Sequence, residues 1–146
     1  MPDTKKTWGA AEVAADFAAS AFMSAYNLQV VSCDAENGVL EVRAPFSPWV
    51  ERLPGTGQWH GGPISALIDS VGDYAVAIQL ARAVPTIDMR VDYLRPAIKT
   101  DLHFRACVRR SGRTVAVADV DVMDDRGALV AIGRVVYGTA APPPSK

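Results

Sequence analysis

Cysteine is nearly missing from this 146-residue chain: Cys33 and Cys107 are the two present, far apart and without CxxC spacing. That excludes a disulfide framework and a zinc ribbon and suits a reducing cytoplasm. An excess of one charge is missing as well. Fifteen Lys and Arg against sixteen Asp and Glu leave a net charge of −1, so no global field draws in polyanions and no nucleic-acid partner is expected. No run approaches the roughly 20 uninterrupted apolar residues of a membrane span. Lys5 and Lys6 precede an alanine-rich stretch, but Glu12 and Asp16 interrupt the apolar centre a signal peptide needs. The expectation is a cytoplasmic protein with no membrane partner. Histidine is scarce, and His103 alternates with apolar residues without metal-ligand neighbours, so no metal site is expected.

What is present, 49% apolar and 21% charged residues over this length, fits one globular domain. It is expected over 10–137, between a polar, frayed segment 1–9 and a tail 138–146 whose prolines lack backbone donors. The alanine-rich stretch 10–26 places Val13, Phe17, Phe22 and Met23 at loose helical spacing and reads as one amphipathic packing helix. LQVVSCD and VLEVRAP, joined through Asn37-Gly38, read as a β-hairpin. Residues 46–59, punctuated by Pro48, Pro54, Gly55 and Gly57, read as a loop. A helix expected over 62–82 is apolar on nearly every side and must be wrapped by other elements. The wrapper follows. Ile87, Met89, Val91 and Tyr93, then Leu102, Phe104, Ala106 and Val108, alternate with polar residues, and Ser111-Gly112 and Asp124-Asp125-Arg126-Gly127 supply further hairpin turns. The reading is α+β: consecutive antiparallel strands in a curved sheet around one central helix.

Trp59-His60-Gly61-Gly62-Pro63 stands at the entrance to that helix. Glycines at a helix N-terminus let a ligand reach free backbone N–H groups, and proline suits the first turn, so the segment reads as an oxyanion pocket or as an ordinary Gly-Pro helix start. Within the helix, Ser65, Asp69, Gly72, Asp73 and Val76 share one stripe, so the two carboxylates are neighbours. A carboxylate buried there has its pKa raised towards the range of a general base; one facing solvent or an arginine is merely structural. Asp69 lies about two turns beyond His60, so base and oxyanion donor need not meet within one subunit.

HGGPISALIDSVGDYAVAI followed by PTIDMRVDYLRPA resembles the PaaI-like branch of the hotdog-fold thioesterases, over roughly residues 20–137. The resemblance implies a hotdog fold, a curved antiparallel sheet wrapped around a long helix. It also implies hydrolysis of an acyl-coenzyme A thioester in a site shared by two subunits. Asp69 would activate water or attack directly, the Gly61 N–H of the other chain would polarise the thioester carbonyl, and His60 would position the thioester. Thr86 would orient the water or the carboxylate. Each role is chemically sensible, because a base must reach its proton and a fixed donor stabilises the developing oxyanion. Gly62, Gln58, Asp73, Arg90 and Arg95 complete the expected substrate-binding set.

One position departs from the family pattern. Several relatives carry Asn six residues before the histidine, where this chain has Pro54; Gln58 or Arg52 of the same loop would have to substitute. Arg43, Arg105, Arg109, Arg110, Arg113 and Arg134 join Arg90 and Arg95 as candidates for coenzyme A phosphates or as ordinary solvated strand residues. Phe46, Trp49 and Trp59 either line an acyl pocket or cover the core. The leading expectation is an acyl-CoA thioesterase without a separate cofactor. A noncatalytic acyl-CoA binder on the same scaffold is the alternative that Pro54 favours, and an enoyl-CoA hydratase fits less well because no Asp and His pair shares one loop. Exposed strand edges imply a homodimer, with a homotetramer of dimers open.

Overall fold

A computed structural model describes residues 6–141 and 143; the expectations for 1–5, 142 and 144–146 fall outside the described residues. Two helices, α1 (Ala10–Ala19) and α2 (Gly61–Leu80), accompany six strands: β1 (Gln29–Asp34), β2 (Val39–Ala44), β3 (Thr86–Tyr93), β4 (Leu102–Ser111), β5 (Val115–Met123) and β6 (Leu129–Gly138). All six form one antiparallel sheet in the order β1-β2-β4-β5-β6-β3. The sheet curves around α2, as the hotdog reading requires.

The long helix is buried along most of its length because the period-two strands give it an apolar inner face. Leu67, Ile68, Val71, Val76 and Ile78 are fully buried against Phe104, Ala106, Ala118, Val120 and Val135 from the sheet. Each of the larger side chains contributes roughly 1.5–3 kcal/mol relative to exposure. The other flank of α2 is closed by α1: Phe17 meets the Tyr74 ring edge-on at 4.9 Å, and the Tyr74 hydroxyl donates to Asp16 (3.2 Å). Among the described residues no helix is long and apolar enough to cross a membrane. Cys33 and Cys107 are free thiols.

Four sequence expectations need revision. The first helix stops at Ala19, not near residue 26, because Ser20 turns extended (φ −73°, ψ 124°) and its hydroxyl accepts from Met23 N, starting a separate 3-10 turn, Met23–Tyr26. The second helix runs Gly61–Leu80 and ends where Ala81 takes a left-handed conformation (φ 51°). β3 and β4 follow one another in sequence but are not neighbours. β3 pairs with β6, and β4 lies between β2 and β5; the connection between them contains Pro96 and a left-handed Lys99 instead of a tight two-residue turn. Lastly, the expected tails are partly docked. Trp8 N donates to Ile78 O (3.0 Å), β6 continues through Gly138, and the buried Thr139 is held by Thr114 O and Gly112 O.

The Asn37-Gly38 turn is as expected: Gly38 has φ 64°, and Asp34 accepts from the Asn37 backbone and side chain. Another glycine sets the helix-to-sheet distance. Gly133 of β6 faces α2, where an added Cβ would stand 2.4 Å from Ile68 Cγ2. Gly133→Ala is therefore expected to lower stability by about 1–3 kcal/mol through overpacking, read as a lower urea midpoint at unchanged m-value. A wild-type midpoint would mean the two layers separate without cost.

Candidate active site

The loop before α2 is held in a fixed path to the helix start. Trp59 N donates to Ala97 O, His60 N to Val50 O and Arg52 N to Gln58 O, at 2.8–3.0 Å, and the buried Trp59 indole donates to Thr100 O. His60 is the N-cap of α2, and its Nδ1 accepts from Gly62 N at 3.0 Å. A neutral imidazole accepting at Nδ1 carries its proton on Nε2, so the exposed ring edge is a donor. The cap engages the Gly62 N–H that the sequence reading assigned to substrate. The Gly61 N–H is left without an acceptor among the described residues, at the positive end of the helix dipole. Tyr93 packs over Gly61, where an added Cβ would meet its ring at 3.3 Å, and its hydroxyl donates to Gly61 O (2.8 Å).

Further along the helix, Asp69 is half-buried and accepts from the Thr86 hydroxyl at 2.6 Å. The Tyr137 hydroxyl of β6 donates to the Asp69 carbonyl (2.7 Å), and Gly72 makes room for it: a Cβ there would stand 2.3 Å from that oxygen. Burial pushes the Tyr137 phenol well above its ordinary range, with the charges of Asp69 and Asp73 adding to the effect, so it acts only as a neutral donor. Asp73 does not face the helix start. Its Oδ1 accepts from Val84 N (3.2 Å), and burial pushes its pKa up to about 7, against the Val84 bond and with the Asp69 charge. The raised carboxylate of the stripe is thus Asp73.

Most of the residues around the helix start and the carboxylates fall into two groups. Gly61, Gln58, Arg52, Arg95, Trp59 and Tyr93 line a depression of about 490 Å³ beside the helix start. Asp69, Thr86 and Asp73 form the second group, deeper along α2. Gly61 and Asp69 are about 12 Å apart along the axis at 1.5 Å per residue, too far to act on one carbonyl within a single chain. Arg90 belongs to neither group; it lies on the outer face of the sheet, paired with Asp92. Arg43, Arg105, Arg109 and Arg134 are also paired there, with Asp101, Glu41 and Asp119, whereas Arg52 and Arg95 have no ion pair among the described residues. Phe46 packs edge-on against Trp59, and Trp49 packs at a tilt against Tyr26, away from the depression. His103 pairs with Asp125.

The thioesterase superfamily profile matches residues 56–131, which carry both groups apart from Arg52. A provisionally named esterase of Halobacterium salinarum is 41% identical over 115 residues, covering 69% of this chain and 74% of that one. The chain belongs to the thioesterase superfamily. An X-ray structure of a protein from the same superfamily superposes with a TM-score of 0.80 at 35% identity, over 88% of this chain and 97% of that one. The E. coli PaaI protein of the phenylacetic acid degradation operon does so at 0.76 and 25%, over 87% and 89%. Thioester hydrolysis is the chemistry of this superfamily, and the PaaI-like resemblance of the motif segment holds at the level of the fold. Two contacts of this thioesterase-superfamily chain escaped the sequence reading, those of Tyr137 and of the Tyr93 hydroxyl. The signal for the first was Gly72, a glycine inside a helix with no turn to explain it.

The folded pKa of Asp73 lies above the carboxyl's ordinary 3.8. Its contribution to folding is therefore full below about pH 4 and is lost as pH rises through about 7. Asp73→Asn, which cannot ionise, is expected to be more stable than wild type at pH 8.5, by up to about 4 kcal/mol, and to melt at a higher temperature, with the gap narrowing at pH 5. A gap independent of pH in thermal melts would show that Asp73 ionises in the fold without penalty.

Proposed function

We propose that this protein is an acyl-CoA thioesterase whose two equivalent sites are each built from two subunits. The observation that carries the reading is the division of labour along α2. An unpartnered N–H at Gly61 and a carboxylate at Asp69 are the donor and the base that thioester hydrolysis needs, yet one rod holds them about 12 Å apart. A twofold axis that runs two α2 helices antiparallel brings Gly61 of the partner subunit to Asp69. The edge strand supports such pairing: among the described residues β3 is hydrogen-bonded only to β6, and near it Ile87, Tyr93 and Leu94 are 59%, 53% and 51% exposed. An open edge with apolar side chains calls for a second strand.

In this reading the thioester carbonyl oxygen lies against the N–H of the partner's Gly61, with the His60 Nε2–H beside it. Asp69, held by Thr86, takes a proton from water as the water oxygen bonds to the carbonyl carbon. Negative charge gathers on the carbonyl oxygen, where the fixed donor and the helix dipole stabilise it. The C–S bond then breaks, the thiolate of coenzyme A takes up the proton, and acid and thiol leave. Arg95, from the segment after β3, and Gln58 and Arg52, from the loop where Pro54 supplies no polar side chain, offer an amide and two cations to the substrate. That proline is what favours the second reading, a binder of acyl-CoA without turnover.

Free-thiol release from short-chain, aromatic and long-chain acyl-CoAs separates the two. Turnover in wild type and a fall of about 10²-fold or more in kcat for Asp69→Asn, with KM little changed, is expected for a general base. Equal rates in both would remove Asp69 from the chemistry, and binding without turnover in either would establish the binder. Sedimentation at micromolar concentration is expected to show a dimer or a dimer of dimers; a monomer that retains turnover would sink the shared site.

A further inference from the structure

Val84 and Pro85 end the connection from α2 and lead into Thr86, the first residue of β3, and contacts hold each of the three. Val84 N donates to Asp73 Oδ1 (3.2 Å), Gly138 N donates to Pro85 O (2.8 Å), and the Thr86 hydroxyl donates to Asp69 Oδ1 (2.6 Å). The outer two contacts end on carboxylates one helical turn apart. Between them stands a proline, whose ring fixes φ, so a displacement of Val84 is passed to Thr86 with little slack.

We propose that Asp73 is a positioning residue: by holding the Val84 N–H it sets the 84–86 segment so that Thr86 presents its hydroxyl to Asp69, and its charge tunes that placement. The proposal rests on the reading of Asp69 as the base. An asparagine would also accept from Val84, as a neutral acceptor, and would avoid the cost of a buried charge. The carboxylate is kept at a cost, which points to a use for its ionised form. Ionised, Asp73 makes a charge-assisted bond to Val84, shorter and stronger than that of the neutral acid.

The groups facing it are few. Asp69 on the same helix supplies the one charge that acts on it, and Tyr74 of α2 and Tyr137 of β6 feel its charge in turn, both as phenols pushed above their ordinary range. Arg82, two residues before Val84, directs its guanidinium to Thr139 O (2.6 Å). Ionisation near pH 7 is therefore set by burial, the Val84 bond and Asp69.

The test is a double-mutant cycle with pH profiles, using the acyl-CoA from the panel above that is turned over fastest. In wild type kcat is expected to rise through an inflection near pH 7. Asp73→Ala should lower kcat about tenfold with KM within about twofold, and Asp73→Asn should restore most of kcat while flattening the profile between pH 6 and 8. In a Thr86→Ala background, Asp73→Ala should change kcat by less than about twofold, because the residue it acts through is gone. Additive losses, or an inflection that persists in Asp73→Asn, would overturn the proposal. A readout without turnover accompanies it: the Val84 amide shift by NMR should titrate near pH 7 in wild type and stay flat in Asp73→Asn. A flat Val84 signal in wild type refutes the proposal even if the enzyme assignment stands. Full turnover by Asp69→Asn would defeat that assignment and leave the Val84 titration to judge Asp73.

Discussion

A helix that is apolar on nearly every side cannot stand in water, and the contact between α2 and the inner face of the sheet is the constraint from which the rest of the molecule follows. The curvature, the close approach at Gly133 and Gly72, and the docking of α1 over Tyr74 all close the surroundings of this one rod. Because the rod is packed between the sheet and α1, it holds its polar positions with little freedom to adjust. A preorganised donor or carboxylate needs such support, since misplacement by an ångström costs much of its effect.

The polar groups on α2 divide by depth. At the start, His60 caps Gly62 and leaves the Gly61 N–H open, while Tyr93 holds the Gly61 carbonyl from β3. Two turns in, Asp69 is gripped on both its polar parts, the side chain by Thr86 and the carbonyl by Tyr137. One turn deeper, Asp73 holds the chain that brings Thr86 into place. The first strand after the helix is thus tied to it at the donor end and at the carboxylate end alike, and β3 acts as a brace across the two halves.

Much of this was legible in the chain. The apolar helix and the alternating strands carry strong periods, and the Asn37-Gly38 turn has its own backbone chemistry. His60-Gly61 and Asp69 were legible because they break a pattern locally. What escaped depended on distant partners. The pairing of β3 with β6 is a non-local choice, and period two reports only that a strand exists and which face is apolar. The hydroxyl of Tyr137 reaches Asp69 from another layer, and apart from the bare space at Gly72 nothing in the local sequence announces it. Asp69 and Asp73 are alike on a helical projection; only the fold gives one a hydroxyl and the other a backbone amide. The early end of the first helix turned on Ser20 serving two turns at once, a capping choice that composition does not report.

Because Gly61 and Asp69 ride on a single uninterrupted helix, the offset between donor and carboxylate is written into residue count. Adding or removing one residue between them would swing Asp69 by about 100° around the axis and carry it from Thr86 towards the apolar sheet or the α1 flank. Loops elsewhere in the chain are free to change length over time; this stretch of eight peptide units is not.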